Sequence, residues 1–339
     1  MTRNAWLITL TTLYAFSIQP AFAQLQTTSK PPIEIIPDEK ITYHPLDNGD
    51  RVPDFSYCGY MLSETPIPDV PVKAIVSKMK GDATATIQKA IDYVSSIPPN
   101  KQGFRGAVLL QPGTYEVSGT LSITTSGVVL RGSGSGVVGT TIIGTGFGRE
   151  TLIKIAGKND RQVDKFTSLA DAYYPVNTTR LSLKGDHSFK VGDRIIINRP
   201  STKDWIETIG TDKIGLHVDY QLTHWEPGDF DQNWYRTITA VHPQSITIDV
   251  PLSNSLDPKY GGGKVAKYTW PGQINNAGVE NIRCISSYDQ SNPKDENHRW
   301  MAVTIESATD SWVRRVVAEH FVSSAVAVWE TASRITVED

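Results

Sequence analysis

Residues 103–146 read GFRGAVLLQPGTYEVSGTLSITTSGVVLRGSGSGVVGTTIIGTG. Short apolar runs recur in this stretch: Val108-Leu109-Leu110, Leu121 with Ile123, Val128-Val129-Leu130 and Ile142-Ile143. Gly, Pro, Ser and Thr separate them. Runs this short, cut by turn residues, are strands rather than helices. They are too short for an ordinary sandwich and too regularly punctuated for a helical protein. A solenoid accommodates them, with each short strand stacked on its equivalent in the next coil. The cluster GSGSG at 132–136 precedes neither a helical pattern nor a Lys-Ser/Thr pair, so it reads as a bend of a coil and not as a phosphate loop.

Upstream, residues 82–97 predict a helix. Ile87, Ala90, Ile91 and Val94 share one face, Asp82 is the candidate N-cap, and Pro98-Pro99 stop it. Residues 24–68 are rich in Pro, Asp and other polar residues and read as an extended arm, anchored by Phe55, Tyr57 and Tyr60 in DFSYCGY. Residues 1–23 have the pattern of a cleavable export signal: Arg3, the apolar run 5–16, and Ala21-Phe22-Ala23 before the cut. The apolar run is too short to span a bilayer. The expected mature chain is secreted or periplasmic, with no membrane anchor.

Downstream, residues 156–268 break the coil pattern. LSLKGDHSFKVGDRIIINRP (181–200) turns at Val191-Gly192-Asp193, and ITAVHPQSITIDVPL (238–252) turns at His242-Pro243. Both predict antiparallel strands, with a long aromatic and acidic loop (203–236) between them. Asn177-Thr178-Thr179 matches a glycosylation sequon, a pattern with many chance matches. Coils resume over 269–339 with AGVENIRCISS, ATDSWVRRVVAEHF and ASRITVED, interrupted by the loop DQSNPKDENHRW (289–300). The sequence stops inside a strand pattern, which reads as the truncated end of a longer solenoid.

The series GDATATIQKAID (81–92), GAVLLQPGTYEVSGTLSI (106–123) and GVVLRGSGSG (127–136) resembles the N-terminal segment of pectate-lyase-superfamily proteins. The resemblance covers roughly 69–155 and 270–339 and points to no particular member. It implies an all-β chain: a right-handed single-stranded parallel β-helix, its open N-terminal end capped by the α-helix, here with an antiparallel β insertion. It also implies action on a polysaccharide, although this fold hosts lyases, hydrolases and non-catalytic tailspikes.

The 339 residues carry a formal net charge of −3 and no polybasic run, which argues against nucleic acid as the main partner. An anionic polysaccharide needs only a local cationic patch. A monomer is expected. Of the two cysteines, Cys284 lies in an apolar strand pattern and reads as a buried free thiol; pairing with Cys58 is left open.

Two regions hold candidate chemistry. The first contains Asp295, Glu296, Asn297, His298, Arg299 and Trp300, with Arg314, Arg315, Glu319, His320 and Glu330 on the coils that follow. β-Elimination on a uronic-acid glycan needs a base and a group that neutralises the carboxylate. His298 or His320 is the candidate base, Arg299 or Arg315 the neutraliser, and Trp300 a sugar-binding face. Hydrolysis instead needs two carboxylates, for which Glu296 with Glu319 or Glu330 is the pair. The second region holds His217, Asp219, His224, Trp225, Glu226, Asp229, Asp231, Trp234 and Tyr235. Trp225, Trp234 and Tyr235 offer stacking faces for sugars. Asp229 and Asp231 are candidate Ca2+ ligands, whereas no fixed zinc arrangement is present. Together with these residues the resemblance implies a polysaccharide lyase acting on an acidic glycan, with a glycoside hydrolase or a non-catalytic adhesin or tailspike-like β-helix as the alternatives.

Overall fold

The computed structural model describes residues 31–36, 40–170, 172–213 and 224–339. The proposed export signal, His217 and Asp219 lie outside these residues. Residues up to His44 form a unit of their own. In it β1 (Ile33–Ile36) and β2 (Lys40–Tyr43) pair as an antiparallel hairpin, and His44 Nε2 lies 2.8 Å from the Glu34 carboxylate.

The second unit, from Pro45 onward, is a parallel β-helix. Its early strands are β3 (Val72–Val76), β4 (Gly106–Leu110), β5 (Gly113–Val117), β6 (Leu121–Ile123), β7 (Val128–Gly132), β8 (Thr140–Gly144) and β9 (Thr151–Ala156). An insertion follows, with β10 (Gln162–Val163), β11 (Thr167–Ser168), β12 (Arg180–Ser182), β13 (Arg194–Arg199), β14 (Gln232–His242), β15 (Ser245–Ile248) and β16 (Lys264–Thr269). The coils resume with β17 (Ile274–Asn275), β18 (Gly278–Ser286), β19 (Met301–Glu306), β20 (Ala308–Glu319), β21 (Ser324–Val328) and β22 (Ser333–Glu338).

Three parallel stacks result. The first runs β3, β4, β7, the start of β18, the middle of β20 and the end of β22. The second runs β5, β8, the end of β18 and the end of β20. The third runs β6, β9, β19 and β21. Alternation along each strand turns one residue in two toward the axis. Leu130, Val279 and Val313 thereby stack inside the first, Tyr115, Ile142 and Cys284 inside the second, and Ile153 and Val303 inside the third.

The strands are short because the chain turns at fixed corners. β18 and β20 each turn mid-strand at a left-handed residue, Asn281 (φ 58°) and Arg315 (φ 53°), which occupy equivalent places in the register. Asn276, Asp310 and Arg334 form a second such row. Asn and Asp tolerate this conformation best among residues with a Cβ.

α1 (Thr84–Ser96) closes the first coil, burying Ile87, Ile91 and Val94 against the core. Asp82 lies just before it and accepts hydrogen bonds from Thr84 N (3.0 Å) and Ser118 Oγ (2.6 Å). These bonds, from Ser118 first and then Thr84, hold its carboxyl well below the usual range.

The end of the arm, from Tyr60 onward, covers the first stack. Tyr60, Ile67 and Val70 pack with Phe104 onto the outward residues Ala107, Val129 and Trp312. Tyr60 meets the Trp312 ring edge-on at 5.2 Å. Phe55 instead stands exposed. Gly278 lies directly under Trp312, where a Cβ would come within 2.4 Å of the indole. Beside it Arg131, Glu280 and Arg314 stand in register on three successive strands. Glu280 is 1% exposed. Burial pushes its carboxyl up, but the Arg314 and Arg131 guanidiniums and the Trp312 indole outweigh this and leave it below the ordinary value.

The insertion is antiparallel, in the order β10-β16-β13-β14-β15-β12, and has its own cores on the two sheet faces. None of its described side chains belongs to the coil core. Its two ends meet where Lys158 N donates to Gly272 O (2.8 Å). Both cysteines are free thiols, Cys58 exposed and Cys284 buried.

Candidate functional site

Because the end of the arm covers the first stack, its outer side is closed to a ligand. The outer face of the second stack is at least partly exposed. Its outward rows are Thr114, Thr141, Arg283 and Val317, and Glu116, Ile143, Ile285 and Glu319. All of these are at least partly exposed, and the face offers both apolar surface and the Arg283–Glu319 ion pair.

One edge of this face is a corner where the loop 287–300 meets the turns at 145–150 and 320–324. Tyr288, on that loop, touches both histidines: its ring centroid lies 4.8 Å from that of His320 and 5.8 Å from that of His298. His320 is exposed and left-handed (φ 64°). Trp300 lies alongside, with Ser323 N donating to its carbonyl oxygen (2.9 Å). The Arg149 guanidinium sits 4.3 Å over the Trp300 ring and 3.5 Å from the Glu296 carboxylate. A phenol, an imidazole, an indole bearing a guanidinium and two carboxylates thus share one edge.

Two of the expected groups lie beneath this surface. His298 is buried, with Nδ1 2.8 Å from Ser286 Oγ and Nε2 3.1 Å from Asp295 O. With both ring nitrogens engaged, it has none left to take a substrate proton. Arg299 is fully buried. Its guanidinium donates to Glu150 (2.6 Å), Gly119 O (2.8 Å) and Ser118 O. Gly146 makes this fit, because a Cβ there would lie 2.2 Å from Arg299 Nη2. Arg299 therefore ties three strand ends together and does not reach a ligand on the surface.

Two others lie elsewhere. Arg315 is exposed but sits at the opposite corner, aligned with Asn281. Five residue steps along an extended strand separate it from His320, roughly 16 Å. Glu330 lies past β21, around a further corner from Glu296. Of the proposed hydrolytic pairs, only Glu296 and Glu319 share an edge. Arg149 and Tyr288 were not singled out from the sequence. Only the turn after β8 and the interrupted strand pattern at 287–300 hinted at them.

The second region does not gather into one site. Trp225 stacks on Phe230 (4.0 Å between centroids) and neighbours Trp205, which in turn lies under Arg199. This is a loop folded on itself. Trp234 is buried in the insertion core, its Nε1 donating to Ser253 Oγ (3.0 Å). Tyr235, the next residue along β14, faces the opposite side of the sheet with Tyr268 and Trp270. His224 and Glu226 are exposed. Asp229 accepts from Glu226 N. Asp231 accepts from Asn198 and from the Ser201 amide and hydroxyl. Burial opposes its ionisation, but these bonds hold its carboxyl below the usual range. Among the described residues no three His, Cys, Asp or Glu side chains gather as a metal site. No helix among them is long and apolar enough to cross a membrane.

No family model matches the chain, and no curated protein matches it. Among solved structures it is similar to phage tailspikes. The tailspike protein gp49 from Pseudomonas phage LKA1 is 14% identical over 68% of this chain and 34% of that one, with a TM-score of 0.36. The tailspike gp61 of Pseudomonas phage phi297 is 12% identical over 75% and 37%, with a TM-score of 0.31. The gp54 tailspike of Acinetobacter baumannii bacteriophage AP22, solved in complex with A. baumannii capsular saccharide, is 8% identical over 76% and 43%, with a TM-score of 0.33. The chain thus spans about a third to two fifths of the length of these structures. The fold assignment rests on the parallel ladders themselves.

Proposed function

We propose that the protein is an exported polysaccharide-degrading β-helix that cleaves a uronic-acid glycan by β-elimination at the corner of Tyr288 and His320. The observation that carries this reading is the contact between an exposed imidazole and a phenol, beside Trp300 and Arg149, on the stack whose outer face is partly exposed. A sugar ring stacks on Trp300. Arg149 neutralises the carboxylate, which lowers the cost of charge developing on the adjacent carbon.

His320 takes the proton α to that carboxylate. The electron pair of the broken C–H bond forms the new ring double bond, and the glycosidic C–O bond breaks. Tyr288 gives its proton to the departing oxygen. Hydrolysis is the weaker reading, because it needs both carboxylates and Glu319 is held in an ion pair with Arg283.

Near-ultraviolet absorbance of unsaturated uronate ends tests this on a panel of acidic polysaccharides. The expected result is a rise that His320→Asn abolishes; Asn keeps the left-handed corner while removing the imidazole. An unchanged rise with that variant would remove His320 from the mechanism. New reducing ends without absorbance would point to hydrolysis by the glutamates, and neither signal to a binding module.

A further inference from the structure

A cleft of about 480 Å3 lies apart from that corner, between the insertion sheet, the arm and the last coils. Its volume falls within the roughly 300–1,000 Å3 usual for small-molecule sites. Tyr57 of the arm, Tyr235 and Tyr268 of the insertion and Arg334 of β22 line it, with Arg194 of β13 among them.

Its charge differs from that of the whole chain. Three arginines and two aspartates line the cleft, whereas the chain is formally −3. The guanidiniums are not equivalent. Arg236 donates to the carbonyl oxygens of Val250, Tyr235 and Pro251, and Arg334 pairs with Asp310. Among the described residues Arg194 has only neutral partners, the Tyr268 hydroxyl (3.2 Å) and the Gln273 side-chain oxygen. The aspartates are partly committed, Asp249 to the Thr237 and Val250 amides and Asp54 to Ser56. A half-buried cation without an anionic partner, among tyrosine rings, fits a ligand with a carboxylate and flat apolar faces.

We infer that this cleft is a second saccharide site, binding a carboxylate-bearing sugar with Arg194 on the carboxylate and Tyr57 and Tyr235 against the ring. It shares with the proposed function only the class of ligand. Binding here needs no bond to be broken, so the two readings fail independently.

Cys58 also lines the cleft and supplies the readout. It is exposed, while Cys284 is fully buried and burial pushes its thiol up to about 12. Alkylation of the native protein should therefore modify Cys58 alone, with peptide mass spectrometry locating the adduct. The ligands are trigalacturonate, trimannuronate and a hyaluronan tetrasaccharide, with maltotriose as the neutral control.

The expected result is a several-fold slower alkylation with at least one acidic oligosaccharide and none with maltotriose. Arg194→Gln should abolish this protection, and so should Tyr57→Ala, which lies on the arm and leaves the sheet intact. Neither variant should change the absorbance assay. No protection by any acidic member, or equal protection by maltotriose, would overturn the inference. So would protection that survives in both variants.

Discussion

His298 and His320 touch the same tyrosine ring, one buried beneath the surface and one exposed on it. One is locked by Ser286 and Asp295, the other is open to solvent. They should respond to substitution in opposite ways. His298→Ala leaves buried polar partners unmatched and should cost about 1–3 kcal/mol, read as a lower Tm. His320→Asn should change stability by less than about 0.5 kcal/mol while removing cleavage. Glu280 gives a second residue-scale test. Glu280→Gln leaves two guanidiniums around a neutral amide and should cost about 3–5 kcal/mol. Its carboxyl is lower in the folded than in the unfolded protein, so the stability it supplies is present above the unfolded value and lost as the pH falls through the folded one. The Tm gap between the parent and Glu280→Gln should be constant near neutrality and narrow below about pH 4.3. Neither difference was legible in the sequence. His298, Arg299 and Trp300 are consecutive in an interrupted strand pattern, where no period says which side chain turns inward.

Elements were far more legible than sites. The helix face of Ile87, Ile91 and Val94 follows from a spacing of three and four, and the coil strands follow from apolar runs cut by turn residues. Both signals are local. The arm's anchor is not, since Tyr60 finds Trp312 only after almost the whole chain has folded. The sequence suggested three arm aromatics, and burial distinguishes them: Tyr60 anchors, while Tyr57 and the more exposed Phe55 both line the cleft. Gly278 is the weak point of this contact. Gly278→Ala must displace Trp312, and the arm with it. Limited proteolysis should then cut between residues 50 and 70 at protease levels that leave the parent intact, with the coil core retained.

At the scale of the molecule, the insertion is a separate body of sheet carried by the helix. Replacing residues 158–272 with a short Gly-Ser turn should preserve the β-sheet circular dichroism of the coils, because the coil core uses none of the insertion's described side chains. The same change should abolish saccharide protection of Cys58, since one wall of the cleft is gone. The antiparallel character of this segment was legible from the turn at His242-Pro243, which joins β14 to β15, whereas the strands on either side of the turn at 191–193, β12 and β13, pair with other strands and not with each other. The cleft was not, because its lining comes from three segments that are distant in sequence.

The closeness of Lys158 to Gly272 also bears on the order of events during folding. The strands β7, β8 and β9 are made long before β18 and β19, the partners that cover their open edge. Until then that edge is a template for any other strand. Bringing β18 back across a slack chain of this length carries a loop-closure cost that a folded insertion has already met. The insertion is therefore expected to set the clock: it matures first, returns the chain to where it left, and the spine then zips onward.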